Sequence, residues 1–248
     1  MLVEFDTDQN NAVILARLAT VLDPELDASI VELGFVHALR VHDRQAHVTL
    51  ELPTSWCAMN FAFLMAEDVR KALLALDGIE AVTVRLGDHC VAAEIEAAVN
   101  DGESFSAAFP SESGGSLASL RDTFLRKGFL VRQERLLHEL RKSGRSPDEV
   151  SVLCVSDGLR EPGGEMVHRY LERRAELGLD CSPAAPLVVD QSGASVPAER
   201  LDAYYHQIRT VRVSMEANGS FCRALQAKRA ASNQLATTTN RGNAHVQA

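Results

Sequence analysis

Cys57 is the residue whose setting most clearly implies chemistry. It lies in Leu52-Pro53-Thr54-Ser55-Trp56-Cys57-Ala58-Met59, where an alternating apolar run gives way to a helical one. Thr54 or Ser55 is placed to cap that helix. A thiol in a first helical turn meets unpaired N–H groups and the positive end of the dipole, both of which favour the thiolate. Thiolate is the form that binds a soft metal or attacks a disulfide. The plainer alternative is a small buried cysteine. Asp88-His89-Cys90 supplies two weaker candidates, because His89 and Cys90 are both ligand types for iron or zinc. Neighbouring residues on a strand point to opposite faces, so both reach Cys57 only where the strand has ended. Asp23 and Glu25 are spaced as an acid/base pair, although Asp-Pro-Glu also simply stops a helix and shapes a turn. No Gly-x-Gly-x-x-Gly, P-loop or nucleophile elbow occurs.

The elements that must position these residues can be read from periodicity. Val13, Ile14, Leu18, Val21 and Leu22 have helical spacing, and Asp23-Pro24 ends that helix. Two short strands, 35–41 and 46–52, are joined by a turn at 42–45. A helix over 56–76 and a strand over 81–86 complete the order helix, strand, strand, helix, strand. Such an amphipathic sheet with helices on one face is an α+β domain. The second half reads as mainly helical: a helix over 117–142, a strand over 150–155, a helix over 163–177, a short strand and turn over 187–193, then the longest helix after Pro197. Leu201, Ile208, Met215 and Cys222 recur every seven residues on that helix, as do Tyr204, Val211, Asn218 and Leu225. The repeat is a seam of core residues or a face for a partner, with Leu201, Ile208 and Met215 as the docking candidates; the core reading is favoured.

Charge divides the 248-residue chain. Up to residue 104 there are 18 acidic and 6 basic side chains, net −12; beyond it there are 16 and 19, net +3. Opposite signs favour attraction between the halves, although single surface pairs are weak. The Pro, Gly and Ser content near the change predicts a first domain over 1–104, a linker over 105–116, a helical domain over 117–231 and a disordered tail over 232–248. A net charge of −9 excludes nucleic-acid binding by bulk charge, and 5% aromatic content argues against base stacking. No run reaches the roughly 20 apolar residues of a membrane span. Five unpaired-looking cysteines suit reduced thiols in a cytoplasm.

The order Asp23-Pro24-Glu25, then Ile30-Val31-Glu32-Leu33-Gly34, then a Thr54-containing loop ending in Cys57, resembles the iron–sulphur cluster assembly (metal–sulphur cluster biosynthetic, PaaD/SufT-like) family over about residues 12–96. Ala58 departs from the proline that usually follows the cysteine, Pro53 stands in place of threonine, and Asp88-His89-Cys90 replaces a Pro/Trp segment. The resemblance implies a compact helix-strand-strand-helix-strand fold and a role in metal-cluster maturation. Cys57 would be the transient ligand of iron or an iron–sulphur cluster, with Asp23, Pro24, Glu25, Glu32, Gly34 and Thr54 shaping the surface around it. The client it implies is a metalloenzyme subunit, a di-iron or iron–sulphur oxygenase being the natural case. The alternative is a metal-independent assembly factor that holds an oxygenase subunit through its long helix, with self-association also open. An enzyme ranks last, for want of a base near the thiol.

Overall fold

The computed structural model describes residues 2–5, 11–112, 116–160 and 164–244. Strand β1 (Leu2–Phe5), helix α1 (Asn11–Ala19) and the short antiparallel pair β2 (Leu22–Asp23) and β3 (Ala28–Ser29) lead into a hairpin of β4 (Val36–His42) and β5 (Gln45–Glu51). Asp43 and Arg44, at φ 47° and 63°, make its two-residue turn. Positive φ at both centres matches the twist of the flanking strands, which is why the His42–Gln45 register closes without a longer loop. Helix α2 (Met59–Leu74) then crosses to β6 (Ala81–Gly87), which pairs parallel with β5. The sheet order is β1-β4-β5-β6, with β1 parallel to β4. The sequence predicts only three of these strands.

Alternation along the strands puts Leu39, Ala46, Val48, Leu50, Val82, Val84 and Leu86 on one buried face. Ile14 and Leu18 of α1 and Phe63, Val69 and Leu73 of α2 join them in one apolar core. Helix α3 (Ala92–Asp101) covers the free edge of β6: Asn100 accepts from Val84 N–H and donates to Val84 C=O, and Glu96 accepts from Leu86 N–H, all at 2.8–2.9 Å. Those bonds replace the missing next strand. Helix α4 (Phe105–Ala108) follows, with Phe105 and Phe109 packed into the same core. The expected linker over 105–116 is therefore folded in its first part, because two aromatic side chains outweigh the local Ser and Pro.

Helix α5 (Leu117–Lys142) runs unbroken through Gly128. It is followed by α6 (Pro147–Ser151), α7 (Val155–Gly158), α8 (Gly164–Glu176) and α9 (Ala198–Ala244). The strand expected over 150–155 is not formed. Ser146 and Glu149 make a reciprocal capping box that starts α6, and the Asp157 carboxylate accepts from Cys154 N–H at 3.0 Å at the start of α7, so local hydrogen bonds win over a short β-branched run. Only isolated bridges, Cys154–Pro186 and Val189–Ser195, remain of the β pairing expected there. The core here contains Phe129, Leu137, Tyr170, Leu187, Val189, Leu201, Tyr204 and Ile208. Fully buried Gln133 donates to Tyr170 Oη at 3.0 Å and Val189 O at 2.8 Å.

The chain divides into two units, Met1–Leu117 with Asn218–Ala248, and Ala118–Ala217. The first unit thus includes the C-terminal part of α9 as well as the sheet. Helix continues to Ala244 through most of the stretch read as a disordered tail, while residues 245–248 lie outside those described. Among the described residues no helix is long and apolar enough to cross a membrane.

Candidate functional site

Strand β5 ends at Glu51, and a loop through buried Leu52 and Pro53 carries Cys57 toward α2. The helix itself starts later than its sequence suggests. Its N-cap is Ala58, with no side-chain cap, so Cys57 stands one residue outside the helix. The Thr54 hydroxyl is not a cap either. Its Oγ1 lies 3.3 Å from Cys57 Sγ, the only side-chain hydrogen bond drawn to that sulfur among the described residues. Cys57 is half-buried against the first core, whereas Trp56 beside it is 76% exposed.

The turn after β6 fixes this loop. Asp88 takes a φ of 51°, which swings the next residues back across the loop. Cys90 N–H donates to Ser55 O at 2.8 Å. The buried His89 donates from Nε2 to Cys57 O at 2.9 Å and accepts from Val91 N–H on Nδ1 at 3.4 Å. The strand end does lie beside the Cys57 loop, as the sequence requires. Both ring nitrogens of His89 face backbone atoms, so its imidazole braces the loop. Cys90 is exposed, tied in through its backbone alone. Among the described residues no group of three or more His, Cys, Asp or Glu side chains is gathered closely enough to hold a metal ion.

Asp23-Pro24-Glu25 forms one wall. Asp23 accepts from Leu26 N–H at 2.8 Å, and its burial pushes the carboxyl up to about 6, with Glu25 adding to the rise and the backbone bonds from Leu26 and Glu25 opposing it. Such a shift, caused by desolvation, marks functional clefts more often than ordinary surfaces. Gly34 holds a φ of 73°, a left-handed turn that a side chain would strain, and Phe35 N–H then returns to Ile30 O at 2.8 Å. Glu32 is exposed.

The C-terminal part of α9 supplies residues absent from the sequence reading of this site. Asn218 Nδ2 donates to Glu25 Oε1 at 3.1 Å. Gln226 Nε2 donates to Gly34 O at 2.8 Å and Glu51 O at 3.2 Å. Arg229 donates to Leu52 O at 2.6 Å and pairs with Glu51 at 3.2 Å and Asp88 at 2.9 Å. Cys222 lies between them on the helix; burial pushes its thiol up, and Asp23, Glu25 and Cys57 act in the same direction. The available signal was charge, for residues 218–248 contain no Asp or Glu. The docking candidates Leu201, Ile208 and Met215 are instead buried within the chain, Leu201 and Ile208 in the second unit's core. At Leu201 and Ile208 the seam therefore faces inward.

No curated protein matches the chain. Over residues 11–86, which hold the hairpin, α2, all but the last residue of β6, the Asp-Pro-Glu and Leu-Gly turns and Cys57, the chain matches the family model described as iron-sulfur cluster assembly protein, in agreement with the resemblance carried by its motifs.

Proposed function

We propose that this chain is an accessory maturation protein that carries iron or an iron–sulphur cluster on its way to a client metalloenzyme, a di-iron or iron–sulphur oxygenase subunit fitting that role. The supporting observation is the Cys57 loop. One thiol is held in a fixed place by three contacts: the Thr54 hydroxyl on Sγ, His89 on the backbone carbonyl, and Cys90 N–H on Ser55 O. A soft thiol donor suits iron and its sulphide clusters. A thiol that is not part of a closed ligand set leaves most positions on the cargo open to the donor and the acceptor protein. Closed four-ligand sites retain their metal, whereas an open set of positions permits hand-over.

Anaerobic reconstitution with ferrous ion and sulphide tests this reading. The wild-type chain is expected to take up iron and labile sulphide with visible charge-transfer absorption, and Cys57→Ser to lose most of both. Equal uptake by Cys57→Ser overturns the role of Cys57. A chain that takes up neither, yet binds an oxygenase subunit, supports the metal-independent assembly factor instead.

A further inference from the structure

Asn218, Cys222, Gln226 and Arg229 follow one another at four, four and three residues, so they share one helix face. What that face meets has a single hydrogen-bonding character. Glu25, Glu51 and Asp88 offer carboxylates, and Gly34, Glu51 and Leu52 offer backbone carbonyls. All are acceptors. A helix laid on this surface must therefore bring donors and positive charge, which an amide at 226 and a guanidinium at 229 do. The match extends to the whole segment, since acidic residues dominate the first 104 positions and are missing after 217.

The grip is polar, not apolar. No side chain of 218–229 belongs to the described apolar core of the first unit, and Phe221 remains 66% exposed. The Arg229–Asp88 pair, with Asp88 79% exposed, weakens with salt, and a helix held without apolar anchoring opens locally at low cost compared with a core helix. The segment nevertheless borders the loop that carries Cys57, through Leu52 and Asp88 on one side and Glu25 on the other.

We propose that the surface around Cys57 is a docking site for a basic helix, filled by the chain's own segment 218–229 until a partner protein presents a helix of the same chemistry, an amide and a guanidinium three residues apart, in its place. The proposal rests on the reading of Cys57 as the working thiol only for its consequence; the surface itself is defined without metal. Own helix and partner helix exclude one another on this surface, so a partner reaches the loop that carries Cys57 only by displacing the segment.

The test uses the full metal-free chain. Cys57 alkylation is followed by peptide mapping, with the exposed Cys90 as internal reference. In the double variant Gln226→Ala/Arg229→Glu, labelling of Cys57 is expected to quicken about tenfold as the segment opens, with faster hydrogen exchange over 218–229. Raising salt from about 0.05 to about 0.5 M should quicken wild-type labelling and leave the variant almost unchanged. A peptide of sequence 214–232, added to the variant, should slow Cys57 labelling again, and the same peptide carrying both substitutions should not. Labelling that stays constant while exchange shows the segment released, or a wild-type peptide without effect, overturns the proposal. If the variant does not fold, the wild-type salt series decides: Cys57 labelling insensitive to salt sinks it. Iron uptake enters none of these readouts, so failure here is separable from failure of the maturation role.

Discussion

Replacing Asp23 by Asn should stabilise the first unit at neutral pH and do much less in acid. Asp23 is 8% exposed and its carboxyl is pushed from 3.8 to about 6, chiefly by burial. The folded state therefore binds its proton more tightly than the unfolded chain does. Between these two values folding takes up a proton, so stability falls as pH rises through the window, and the loss is complete above about 6. A shift of roughly two units corresponds to about 3 kcal/mol at pH 7.5, and to about 1 kcal/mol at pH 4.5, where the unfolded carboxylate is already mostly ionised. Asn keeps an oxygen to accept from Leu26 N–H and carries no charge to desolvate. Urea unfolding at the two pH values, followed by fluorescence of Trp56, the only tryptophan and a residue of the first unit, measures the difference. Asp23→Asn should gain most of that energy at pH 7.5 and little at pH 4.5. An equal gain at both, or a loss at pH 7.5, would refute the argument that an ionised Asp23 is held at a cost. The gain would also identify Asp23 as a residue kept against stability, as expected where a site uses its charge.

In the second unit, Glu134 is 1% exposed and pairs with Arg212 at 2.6 Å, so Arg212→Met should cost about 3 kcal/mol by stranding a buried carboxylate, and Glu134→Gln added to it should recover much of the loss; thermal melts of the three variants check this. Ile208→Asp should destabilise the same unit by several kcal/mol, since Ile208 sits in its core; an unshifted melt would return that seam to the surface. Graded alkylation should modify exposed Cys90 well ahead of Cys181 and Cys222, whose thiols burial pushes up, and early labelling of either would count against their placement.

Sequence alone determined the parts whose information is local. Alternation in 45–51 and 81–87 specified strands and their buried faces, because a strand exposes every second side chain to one environment. Seven-residue recurrence at Leu201 and Ile208 specified a buried stripe on α9, and the Asp-Pro-Glu, Leu-Gly and cysteine-loop segments carried the family resemblance. Where local signals competed, the weaker was easily misread: the Ser146 and Glu149 capping box was there to be seen, yet the apolar run after it read as a strand. Tertiary structure decided the rest. That His89 reaches the carbonyl of Cys57 follows from a turn at Asp88 that no pattern announces. That Gln226 and Arg229 meet Gly34, Glu51 and Asp88, across 141 to 192 residues of sequence, depends on where the chain returns in space. Hydrogen bonds and ion pairs act within a few ångströms whatever their separation along the chain, whereas periodicity reports only on neighbours a turn or a pleat away.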